Sequence, residues 1–159
     1  MEDVFGAADA AFEKGPRYCG DTLWSDHHPG ELMSNVRERV LSAPSGCTVD
    51  FEWLPPVQRD SPPLDMAFSM KGSTYVHAHA IWKDAAQDDE KQGWVRAMMA
   101  GFEPFKVGYY VGEADLTAAP DRAKQCFSPE AWDKLLRLKR TYDPNDVFFS
   151  YLQEPDPAR

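Results

Sequence analysis

Apolar residues return at two different periods along this chain, and the alternation between them sets out its elements. Val4, Phe5, Ala8, Ala11 and Phe12 recur at helical spacing, and Gly15-Pro16 stops that run. Leu32, Met33, Val36, Val40 and Leu41 mark a second amphipathic helix, opened by His28-Pro29-Gly30-Glu31 and closed before Pro44. A third starts at the acidic turn Asp88-Asp89-Glu90 and runs through Trp94, Val95, Met98 and Met99 to Gly101. The fourth has Ser128 as its N-cap and Pro129 at its first position, and it closes near Tyr142.

Period two takes over elsewhere. Thr48 to Leu54 reads as a strand with Val49, Phe51 and Trp53 on one face. Ser73 to Trp82 is the clearest strand, rich in β-formers and free of breakers. Lys106 to Val111 reads as a strand, and Met66 to Met70 as a short one. Arg17 to Asp26 is a mixed aromatic stretch that the pattern leaves unassigned. The prolines from Pro55 to Pro63 predict a loop, and Glu154 to Arg159 a frayed polar tail. Strands separated by helices, without a glycine fingerprint between them, predict an α+β fold. We expect one domain over residues 1–153, a small antiparallel sheet with helices packed on one face. A sheet that thin leaves edges and a face to cover, so we expect a homodimer or a partner chain.

Composition narrows the function. The chain has 159 residues, 43% of them hydrophobic and 13% aromatic, which suits one domain with a real core. Its net charge is −9, and no basic patch offers a footprint for nucleic acid or an anionic membrane. The start, Met1-Glu2-Asp3-Val4, is acidic where a secretory leader is basic, and no long apolar run occurs, so a cytoplasmic protein is expected. Cys19, Cys47 and Cys126 are scattered and odd in number, which predicts reduced thiols rather than disulfides or structural zinc.

One strand concentrates the candidate chemistry. Along Ser73 to Trp82, Tyr75, His77 and His79 share a face, while Val76, Ala78, Ala80 and Trp82 share the other. The second pattern is that of a core face. Three readings of the first stay open: a solvated polar face, a binding face where imidazoles act as acid or base, or a metal site. A metal would need a third ligand, which His27, His28 or Glu113 could supply; nothing in the spacing selects one, so no metal site is named.

The last third of the chain carries a more specific signal. Gly108-Tyr109-Tyr110-Val111-Gly112-Glu113-Ala114-Asp115 is followed by Trp132-Asp133-Lys134-Leu135-Leu136-Arg137-Leu138-Lys139 and then by Tyr142-Asp143-Pro144-Asn145-Asp146-Val147-Phe148. This order resembles the C-terminal segment of the berberine-bridge-enzyme-like flavin oxidoreductases: Tyr-x-Asn on a strand, a helix with Arg-Leu-x-x-Leu-Lys, then Tyr-Asp-Pro-x-Asn-x-Phe. Met70-Lys71-Gly72 through Trp82 resembles the family's His-Arg-x-Gly strand. The resemblance implies half of a flavin-oxidase substrate domain, with FAD held mainly by an N-terminal domain that these residues do not contain. It implies Tyr110, Tyr75 and His77 as catalytic candidates; His79, Trp53 and Tyr109 on the substrate; and Tyr110 and Gly112 at the flavin. Gly112 departs from the pattern, since the family has an asparagine there and glycine has no amide to offer a flavin. The functions that follow are a flavin-dependent oxidoreductase half, working with a flavin-binding chain on a small organic substrate, or a cofactor-free domain. In the second, Tyr75, His77, His79, Trp53 and Tyr110 would line a pocket for a small hydrophobic molecule. A non-catalytic interaction subunit is the third.

Overall fold

The computed structural model describes residues 15–54 and 67–152. The expected helix at Glu2 to Lys14, the proline-rich loop and the polar tail lie outside the described residues.

Four antiparallel strands form one sheet in the order β2-β3-β1-β4: β1 is Arg17–Ser25, β2 Cys47–Trp53, β3 Thr74–Trp82 and β4 Lys106–Gly108. Helix α1, Pro29–Leu41, joins β1 to β2, and α2, Asp88–Phe102, joins β3 to β4. The result is a split βαβ repeated, the ferredoxin-like arrangement. A fifth segment, the 3-10 turn Pro120–Cys126, leads into α3, Pro129–Tyr142. Local chemistry sets the helix starts: His28 Nδ1 accepts from the Gly30 amide at 3.1 Å, and Ser128 Oγ accepts from the Ala131 amide at 3.2 Å.

The stretch left unassigned is β1, one of the two inner strands of the sheet. It pairs with β3 along its whole length, from Arg17 opposite Trp82 to Ser25 opposite Thr74. Gly20, Asp21 and Thr22 hide it from a propensity reading, since glycine and aspartate are poor strand formers. Asp21 is tolerated because a buried cluster neutralises it. Its carboxylate accepts from the Thr22 amide at 2.9 Å, from the Asp115 amide at 3.0 Å, and from Arg122.

Two other expectations need correction. Ala67 to Met70 is irregular, not a strand. The strand read at Lys106 to Val111 ends at Gly108, because the Tyr109 amide turns away to donate to Gln125 O and Tyr110 begins a turn.

Helices α1 and α2 cover one face of the sheet, as expected. Leu32 and Val36 meet Val95, Met98, Met99 and Phe102, and together they bury Leu23, Val76, Ala78, Ala80 and Trp82. The candidate chemistry lies on the opposite face.

Candidate functional site

Strand pairing decides which side chains share that second face. Tyr75 lies opposite Trp24 and Glu52, His77 opposite Thr22 and Asp50, and His79 opposite Gly20 and Thr48. Each row of three projects the same way, because residues paired across a ladder point together. The face therefore carries Tyr18, Thr22 and Trp24 from β1, Tyr75, His77 and His79 from β3, and Asp50 and Glu52 from β2.

At one end of this face the rings pack closely. Tyr75 sits 4.7 Å from Trp24 and 6.2 Å from Tyr110, and Phe68 lies 5.8 Å from Tyr110. The Tyr75 hydroxyl donates to Glu113 Oε2. Burial and then that hydrogen bond push the phenol well above its usual pKa, so Tyr75 keeps its proton at neutral pH. Tyr110 is partly exposed and folds over Gly112, where an added Cβ would come within 3.0–3.2 Å of its ring. Gly112 therefore gives the tyrosine room rather than offering a polar group.

At the other end, Tyr18 crosses the face. A Cβ at Gly20 would stand 2.5 Å from the Tyr18 hydroxyl, so only glycine lets the ring lie this close. That hydroxyl is hydrogen-bonded to His77 Nε2 at 3.0 Å. The His77 and His79 rings are 4.8 Å apart, and His79 Nδ1 is 3.4 Å from Asp50 Oδ2. Burial, and then the neighbouring His77, lower the pKa of His79, which favours its neutral form.

Among the described residues, three buried side-chain polar atoms have no hydrogen-bond partner: Thr22 Oγ1, Trp24 Nε1 and His79 Nδ1. All three belong to this face. Thr22 lies close enough to the Tyr75 phenol to act on its pKa, and the 3.4 Å from His79 Nδ1 to Asp50 Oδ2 is long for a hydrogen bond. Buried groups of this kind are normally satisfied, so their gathering sets this surface apart from the helix side.

The structure brings Tyr75, His77, His79 and Tyr110 together and leaves two expected residues out. Trp53 pairs with Thr74, which puts it on the helix side of the sheet, where it packs on His28 at 5.4 Å. The alternation that grouped Trp53 with Val49 and Phe51 was sound, but that group faces away from the histidines. Tyr109 is 2% exposed, and its hydroxyl donates to Glu103 and accepts from Lys106 at 3.0 Å. It is a core side chain out of a substrate's reach. Tyr18, Trp24, Asp50 and the pairing of Glu113 with Tyr75 were missed; the register of β1 and β2 on β3 is the signal that finds them. A cleft of about 1590 Å³ lies among Tyr18, Arg96, Asp115, Trp132 and Leu136.

No family model matches the chain. Two curated relatives do. The FAD-linked oxidoreductase janO of Penicillium janthinellum is 24% identical over 147 residues, which is 91% of this chain and 32% of that protein. The FAD-linked oxidoreductase nodO of Hypoxylon pulicicidum is 30% identical over 81 residues, 51% of this chain and 17% of that protein. Among solved structures, the flavoenzyme CrmK of caerulomycin biosynthesis superposes with a TM-score of 0.69 at 16% identity, covering 86% of this chain and 32% of CrmK. A berberine bridge enzyme variant gives 0.68 at 16% identity, covering 89% and 34%. The chain thus spans about a third or less of the proteins it matches: its curated relatives are FAD-linked oxidoreductases, and its fold is that of one part of the berberine-bridge-enzyme-like flavoenzymes.

Proposed function

We propose that this chain forms the substrate side of a flavin site in an FAD-linked oxidoreductase acting on a small organic molecule. The observation that carries the reading is the pairing of the Tyr75 hydroxyl with Glu113 on the face where Tyr75, Tyr110, Trp24 and Phe68 pack together. That aromatic surface suits the flat body of an isoalloxazine or of a planar substrate stacked on one. The dinucleotide tail is another matter, since the sequence has no glycine-rich phosphate cradle. A flavin-binding chain would hold it.

A bound flavin supplies the hydride acceptor. This chain supplies the proton path. Tyr75 is kept protonated and hydrogen-bonded to Glu113, so its oxygen is free to accept a hydrogen bond from a substrate hydroxyl. As the substrate gives up that proton to the Tyr75 oxygen, the phenol passes its own to Glu113. Tyr110, set across from Tyr75 and partly open, stacks on and orients the substrate. The rings of Trp24 and Phe68 keep water from the inner side of the pair.

The test is quenching of flavin fluorescence as the chain is titrated into lumiflavin and, separately, FAD. We expect saturable quenching of both, with similar affinity because the tail is not held, and a loss of at least about tenfold in Tyr110→Ala. No quenching by about 1 mM chain, or quenching that Tyr110→Ala leaves unchanged, overturns the reading.

A further inference from the structure

We propose that Asp50, His77 and His79 form a binding site for a divalent first-row transition ion such as Zn2+. The three side chains each offer a ligand atom, and these atoms lie within 4.8 Å of one another. Cross-strand pairing builds the group: Asp50 on β2 stands opposite His77 on β3, and His79 follows two residues on, on the same face.

The separations favour an ion over a hydrogen bond. His79 Nδ1 is 3.4 Å from Asp50 Oδ2, and Nδ1 has no hydrogen-bond partner. Ligands at about 2.0–2.1 Å from a tetrahedral zinc are themselves separated by roughly 3.4 Å. The pair thus stands as far apart as two corners of such a site, and the His77 ligand atom lies within 4.8 Å of both. A buried imidazole nitrogen without a partner is costly, and an ion removes that cost.

The surroundings fit as well. The Tyr18 hydroxyl holds His77 Nε2 at 3.0 Å and so fixes that ring, as outer groups commonly do for metal-bound histidines. Two imidazoles and one carboxylate suit Zn2+, Co2+, Ni2+ or Cu2+ better than Mg2+ or Ca2+, which prefer oxygen. Three protein ligands leave a fourth position for water or for an oxygen of a substrate on the same face. The third ligand is therefore Asp50, not His27, His28 or Glu113. His27 is paired with Glu31 at 2.9 Å, His28 caps α1, and Glu113 is engaged by Tyr75.

This inference does not rest on the flavin reading, because metal binding is measured without flavin. Zn2+ is titrated calorimetrically into the chain with its thiols alkylated, and Cu2+ is followed by electron paramagnetic resonance. We expect one equivalent bound, nitrogen couplings in the Cu2+ spectrum, and affinity weakened at least about tenfold by His79→Ala and by Asp50→Asn. Asp50 is an exposed side chain on the outer strand, so Asp50→Asn keeps the fold and the test stands even if His79→Ala does not. No binding below about 1 mM, or binding that Asp50→Asn leaves unchanged, overturns the site.

Discussion

The two faces of this sheet share a backbone and follow different rules. Val76, Ala78 and Ala80 point to the helices and are fully buried among Leu23, Val95, Met98 and Phe102. Tyr75, His77 and His79, one residue out of step, point to a surface of rings, carboxylates and unpartnered polar atoms. One face is closed by its own chain. The other holds buried polar atoms without a hydrogen-bond partner among the described residues. Burial alone does not separate the two, since Thr22 is as inaccessible as Leu23. Hydrogen-bond satisfaction does.

The largest effect should come from the closed face. Phe102 is fully buried at the end of α2 and meets Phe51 of β2 edge-on at 5.7 Å. Phe102→Ala removes a ring that links helix to sheet and leaves a cavity. We expect a loss of about 3–5 kcal/mol, read by urea denaturation. A loss under about 1 kcal/mol would mean that this side of the sheet is not the core.

The buried ion cluster joins the sheet to the C-terminal segments and comes next. Arg122 reaches both Asp21 and Glu103, and its guanidinium lies 4.7 Å from the Tyr109 ring centre. Arg122→Ala strands Asp21, which is 2% exposed, without its cation. An uncompensated buried charge costs about 3 kcal/mol or more, and denaturation should show it. Replacing Asp21 and Arg122 together should cost less than the sum of the single changes, because no charge is then left alone.

Acid acts on the same cluster. Burial alone would raise the pKa of Glu103, but hydrogen bonds from Tyr109 and Lys106 and the nearby positive charges overcome it and hold the carboxyl below its ordinary 4.5. A depressed carboxyl contributes stability that is present above its unfolded value and lost as pH falls through the folded one. Melting temperature should therefore hold steady above about pH 5 and drop below 4.5, and Glu103→Gln should flatten that drop. A drop of equal size in the variant would move the acid sensitivity elsewhere.

How much of this was legible depended on whether the signal was local. The alternation in β3 and the periodicity of α1, α2 and α3 lie within single segments, and each appeared where expected. β1 stayed hidden because its unfavourable Asp21 is stabilised by Arg122, 101 positions away. Trp53 was placed on the wrong side for a related reason: alternation groups residues within a strand, but only the pairing of Asp50 with His77 says which group joins the histidines. The two tyrosines of the Tyr109-Tyr110 pair differ for want of a continuing strand. One turns inward to Glu103 and Lys106, and the other rides on the turn at Gly112.

The smallest expected effect is also the sharpest test of the comparison, because its sign differs between the faces. On the helix side, any change of shape should destabilise. On the other, Thr22 buries a hydroxyl that finds no proper partner. Valine keeps the branched shape and the strand preference while removing that cost. Thr22→Val should raise stability by about 0.5–1 kcal/mol, a shift of roughly 2–4 °C per kcal/mol in melting temperature. A variant that melts earlier would mean that Thr22 is already satisfied within the chain, and the contrast between the two faces would lose one of its three supports.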